Sequence, residues 1–120
     1  RPWGCYGTYI GGTSSSVGSG QSNTTAILNG CSEAGTAARI CDDYSVTVGG
    51  IVYDDWFLPS KNELNLMYNN KNALGGFVNN YYWSSSEDGT NFAWLQNFFN
   101  GDQSLNLKGD SLRVRAVRAF

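Results

Sequence analysis

Three cysteines at positions 5, 31 and 41, ten carboxylate side chains, eight lysines and arginines and no histidine set the chemistry open to this chain. Without histidine, Ser-His-Asp and Cys-His nucleophilic catalysis lack their general base, and a His-ligated zinc site is excluded. The cysteines also lack the short paired spacing of a zinc knuckle. Proton transfer would fall to carboxylates, tyrosines or lysines. The residue types therefore point away from an enzyme and from a resident metal or cofactor.

The thiols carry the other chemistry. Few charges, abundant Ser, Gly and Asn, and three cysteines suit an exported, oxidised protein. One pair and one odd thiol is the simplest arrangement. Cys5–Cys31 is the favoured bridge, tying a first strand to the end of a first helix, with Cys31–Cys41 as an alternative. Cys41, in Ala37-Ala38-Arg39-Ile40-Cys41, then reads as a buried free thiol, and three reduced, buried cysteines are a further alternative.

Asp42-Asp43 and Glu87-Asp88 offer oxygen ligands that suit calcium, although a solvated turn is the simpler reading of each. Arg113, Arg115 and Arg118 form the one cationic cluster. Arg115 and Arg118 either grip a carboxylate or sulfate or pair with Asp42, Asp54 or Asp55. Trp56, Trp83, Trp94 and Phe98 suit a sugar-stacking platform, against the plainer expectation of core. The stronger binding candidates are polar residues between apolar runs: Asn79, Asn80, Tyr81, Glu87, Asp88, Asn91, Asn97, Asn100, Asp102, Gln103 and Asn106. Tyr, Asn, Ser and Asp give adaptable binding surfaces rigid amphipathic area and flexible hydrogen bonding.

The elements that must position these residues can be read from pattern. At 120 residues the chain is long enough for one domain with its own core. Its net charge of −2 gives no electrostatic case for nucleic acid or an anionic membrane, and no apolar run approaches the roughly 20 residues of a membrane span. A start at Arg1 without methionine suggests a mature or excised form.

Residues 6–10 predict a short strand, and 11–20 a Gly/Ser loop. Helices are expected over 23–28, closed by Gly30, and over 34–41. Asn23-Thr24-Thr25 matches a glycosylation sequon. Residues 46–53 carry a Gly49-Gly50 turn between β-branched residues. Trp56 and Leu58 share one face of an extended segment that Pro59 stops. Ser60 and Glu63 form a capping box, and Leu64, Met67 and Tyr68 give the apolar face of a helix to about residue 70. A Gly-broken connector spans 74–78. Strands follow over 81–85, 92–98, 105–108 and 112–119, the last alternating so that Val114, Ala116 and Arg118 share a face. Helices followed by antiparallel strands mean α+β.

Several of these segments together resemble a known family. Asp55-Trp56-Phe57-Leu58-Pro59-Ser60-Lys61-Asn62-Glu63-Leu64, Tyr82-Trp83-Ser84-Ser85, Ala93-Trp94, Asn100-Gly101, Lys108 and Val114-Arg115-Ala116-Val117-Arg118 are similar to a bacterial and phage domain family typified by the C-terminal domain of a collagen-like adhesin. Trp3-Gly4-Cys5-Tyr6-Gly7-Thr8 and the 37–41 run extend the resemblance over nearly the whole chain. It implies a C-type lectin-like fold, two to three helices packed on short twisted antiparallel sheets. It also implies an extracellular, cell-surface or virion-surface setting. The Glu-Pro-Asn and Trp-Asn-Asp motifs of calcium-dependent sugar-binding lectins are absent from the sequence.

The functional expectation is a single recognition domain over 1–120. It would present its Asn/Tyr/Asp loops to a glycan or protein on a host or cell surface, without nucleic acid or membrane insertion. The alternative is a structural or decoration subunit of a fibre, pilus or virion, with homo-oligomerisation through a parent fibre.

Overall fold

The structure is a computed structural model that describes residues 1–118. Among the described residues it is α+β, with four helices and two small antiparallel sheets. Helix α1 (Gly20–Gly30) buries Asn23, Thr24 and Ile27. It begins three residues ahead of the expected start at residue 23, and at its first position a Cβ would collide with the Glu63 carboxylate and the Phe57 ring, so glycine stands there. Helix α2 (Ala37–Asp43) buries its small residues Ala37, Ala38 and Cys41. Strands β1 (Val46–Val48) and β2 (Ile51–Tyr53) make the hairpin expected around Gly49-Gly50.

The capping box forms as the sequence predicts. Ser60 Oγ accepts from the Glu63 amide and Glu63 Oε1 accepts from the Ser60 amide, starting α3 (Lys61–Asn69). Such a cap is worth about 1 kcal/mol. Asn70 then leads into a single further turn, α4 (Lys71–Leu74), before Gly75.

The main sheet has the order β3-β4-β5: β3 (Tyr81–Asp88), β4 (Phe92–Asn97) and β5 (Gln103–Leu107). Trp83 opposes Leu95 and Glu87 opposes Ala93, so a register shift falls at Ser84, Ser85 and Ser86. All three serines are buried. They are satisfied by partners from other segments: Ser84 Oγ donates to Trp94 O, Ser86 Oγ donates to Ser14 O, and Ser85 Oγ accepts from Asn23. That network stitches the Gly/Ser loop onto the sheet. It also encloses Asn23 completely, so the sequon is closed to glycosylation in the folded chain.

Two apolar clusters flank the sheet, because the adjacent β3 residues Trp83 and Tyr82 point to its opposite faces. One joins Trp3, Ile27, Cys41, Leu58, Trp83 and Leu95, and the other joins Leu64, Met67, Tyr82 and Phe98. Trp83 and Phe98 are thus core, whereas Trp56 and Trp94 are only half-buried.

Two expected strands are absent. Residues 6–10 form no ladder, because the Ile10 and Gly11 amides turn onto the Glu87 carboxylate instead. Residues 112–118 also form no strand; Ala119 lies outside the described residues. Residues 111–117 instead meet three partners in passing, with bridges of Ser111 to Pro2, Arg113 to Tyr82 and Val117 to Phe57. No single partner runs alongside long enough for a ladder. Its alternation still sorts side chains: Leu112, Val114 and Ala116 lean on the first cluster and Val117 on the second.

Candidate recognition face

The frame is held by buried charge. Lys108 and Glu87 pair at 2.6 Å with side chains 0% and 1% exposed. Glu87 also accepts from the Ile10 and Gly11 amides at 2.7 and 2.9 Å, while Lys108 donates to Thr8 O and lies over the Trp3 ring. Both Glu87 oxygens are therefore occupied, and this carboxylate is a clamp on the N-terminal strap rather than a ligand or calcium donor. Glu63 plays a similar part without a cation. Its Oε2 accepts from the Gly18 and Gly20 amides, joining the start of α1 to that of α3, where helix amides favour a carboxylate.

Cys5 is bonded to Cys31, as favoured from the sequence, and Cys41 is free and buried. Burial, reinforced by the neighbouring Asp42 charge, pushes the Cys41 thiol up to about 12. Among the described residues the one grouping with metal-ligand proximity is Cys5, Cys31 and Glu33, whose sulfurs are joined in the disulfide. Asp42 and Asp43 are exposed at the end of α2. Arg118 forms a two-pronged pair with Asp55, whose carboxyl is held below its ordinary value by that hydrogen bond. Arg115 donates to Gly75 O and stacks over Phe77. Arg113 is exposed.

Apart from Glu87, the loop candidates separate into two groups at opposite ends of β3, about 20 Å apart from the strand rise. Asp88, Asn91 and Asn106 lie at the hairpin end, where Asp88 pairs with Phe92 and Asn106 with Ala93. Asn79, Asn80, Tyr81, Asn97, Asn100, Asp102 and Gln103 gather at the other end. There Tyr81 pairs with Asn97, Phe98 N donates to Asn80 O, and Asn97 N donates to Asp102 O.

The second group is organised by its own side chains. Asn80 Oδ1 accepts from Tyr81 N, Asn97 Oδ1 from Phe99 N and Asn100 Oδ1 from Asp102 N. These are local side-chain-to-backbone turns. With each carbonyl oxygen used inward, the amide Nδ2 groups remain available as donors. Gly101 has a φ of +86°, and a Cβ there would run into the Tyr68 ring, so only glycine fits the turn. Gln103 is anchored beneath, donating to Lys61 O and Gln96 Oε1.

Sequence reasoning missed Phe99. It is 71% exposed, the most open of the large apolar side chains among the described residues. The signal was present: Phe98 points inward at a strand end, so its neighbour must point out. Its neighbour Phe98 borders a depression of about 330 Å3 lined also by Lys71, Asn72, Phe77 and Asn79. Lys71 Nζ donates to Phe98 O there. The face thus combines two exposed aromatics, a row of amides, one carboxylate at Asp102 and one ammonium.

A separate, larger groove of about 790 Å3 runs between α2, α3 and residues 114–118, with Ile40, Trp56, Met67 and Val114 among its walls. No helix among the described residues is long and apolar enough to cross a membrane.

Fold and face together define a disulfide-linked α+β domain with a rigid frame and a polar-aromatic loop surface. Residues 14–118 match the model of the Lcl C-terminal domain family, and the chain belongs to that family. This is the adhesin-associated bacterial family that the 55–64 and 114–118 motifs resemble. A search of curated proteins finds no match.

Proposed function

We propose that the chain is an extracellular, non-catalytic recognition domain on a C-type lectin-like scaffold, and that residues 79–81 with 97–102 contact a glycan or protein on a cell surface. The observation that carries this reading is the exposed cluster of Tyr81, Phe99, Asn79, Asn80, Asn100 and Asp102, set on turns that its own asparagines fix. Pre-fixed turns lower the ordering cost of binding. Aromatics ringed by donors suit a ligand with both apolar faces and hydroxyl or carbonyl groups. Asp88, Asn91 and Asn106, at the far end, are set outside the contact. The structural alternative, a building block of a surface fibre, rests on a different observation: an uncharged apolar hairpin standing in solvent.

The test is a glycan and protein array probed with the wild-type chain and with Tyr81→Ala, Phe99→Ala and Asp102→Ala. Central contacts are expected to cost at least about 1–2 kcal/mol each, or roughly tenfold in affinity. Asp88→Ala should bind as wild type. Binding that ignores the first three substitutions and is lost in Asp88→Ala would remove this assignment.

A further inference from the structure

We propose that the β1–β2 hairpin is an association arm whose apolar tip packs into the 790 Å3 groove of a second copy of this chain. The hairpin sequence Val46-Thr47-Val48-Gly49-Gly50-Ile51-Val52-Tyr53 carries no charge. Val48, Ile51 and Val52 are 60%, 58% and 59% exposed. The two strands pair only with each other, leaving both outer edges open. A lone two-stranded hairpin is marginal in water, and open edges are ordinarily blunted by Lys, Pro or a bulge. Here only the shortness of the three-residue strands blunts them, and their apolar side chains still stand in water, which marks the hairpin as an element awaiting a partner.

The root is fixed although the tip is free. Trp56 Nε1 donates to Tyr53 O, Tyr44 meets Trp56 edge-on, and Arg118 lies over the Tyr53 ring. Tyr44, Trp56 and Arg118 also line the groove, so the groove opens at the hairpin's own base. A three-residue strand carries the tip about 10 Å from that base. The tip stands in solvent and none of its residues lines the groove of its own chain, so a tip that fills this groove comes from another copy. The groove matches the tip in chemistry. Met67 adapts to irregular shapes, and Leu66 and Leu74 stand 39% and 51% exposed at its border. The volume is of the size that takes a handful of aliphatic side chains. Arm and groove lie side by side, so two copies can exchange arms reciprocally and close the assembly.

Sedimentation velocity of the chain at ~0.1 mM, where micromolar self-association is populated, should show a species heavier than the monomer. Ile51→Lys and Leu74→Glu each alter an exposed side chain, and each alone should sediment as a monomer with an unchanged melting curve. Their equimolar mixture should regain the heavier species, because the introduced Lys meets the introduced Glu. A wild-type chain that stays monomeric overturns the proposal. So does association that survives both substitutions, or a mixture that remains monomeric.

Discussion

Replacing Lys108 by Met leaves the Glu87 carboxylate buried with two backbone amides but no counter-charge. The pair is 2.6 Å apart with both side chains essentially inaccessible, so solvent cannot take the place of the missing cation. Removing one partner of a buried pair costs about 3–5 kcal/mol, against a total stability of about 5–15 kcal/mol for a domain. With a urea m-value of about 1.5 kcal/mol per molar, the unfolding midpoint should fall by about 2–3 M. Glu87→Gln should weaken the fold by a comparable route, since its amide would place N–H groups against Lys108 or the strap amides. The Lys108→Met/Glu87→Gln double variant should be less damaged than the two single losses summed, as expected of directly coupled groups. A midpoint shift for Lys108→Met below about 0.5 M would refute the reasoning. It would mean that the pair is solvated and that Glu87 is open to a ligand after all.

The bridge between Cys5 and Cys31 closes a separation of 26 residues. The Cys5→Ser/Cys31→Ser variant should lose about 3.5 kcal/mol by the chain-entropy relation, read in the same urea titration. Cys41 should resist thiol reagents in the folded chain at pH 8. Its thiol is raised from 9.0 to about 12, so its contribution is complete below the unfolded value and fades as pH rises from about 9 towards 12. The loss should be at most about 1.4 kcal/mol per pH unit, and Cys41→Ser should flatten that alkaline slope. Gly101→Ala should cost about 1–3 kcal/mol from its positive φ, with further loss from the Tyr68 contact, visible as a lowered melting temperature.

Local features of this fold are legible in the sequence. The Ser60–Glu63 box and the Gly49-Gly50 hairpin depend on neighbours within a few residues, and both form as their pattern dictates. Long-range partners are less legible. The alternation of residues 112–118 shows which side chains face inward, but not that residues 111–117 pass three different partners with one bridge each. Glu87 follows three serines and precedes Asp88, a run with the polarity of a loop. It is buried because Lys108 and the amides of residues 10 and 11 converge on it from distant parts of the chain. The candidate face is half legible for a related reason. Closeness in sequence merges residues 79–106 into one surface, while β3 carries them to opposite ends of the sheet. Phe99 escapes notice because a Phe-Phe pair resembles core, and only the strand's alternation separates its buried member from its exposed one.

On the proposed reading, recognition belongs to the end of the sheet bearing Tyr81 and Phe99. Its most direct test is amide chemical-shift mapping of the isotope-labelled chain titrated with the strongest array hit. Shifts are expected to concentrate at residues 79–81 and 97–103, with Asp88, Asn91 and Asn106 unmoved. Shifts centred on Asp88, Asn91 and Asn106, with residues 79–81 and 97–103 silent, would contradict it.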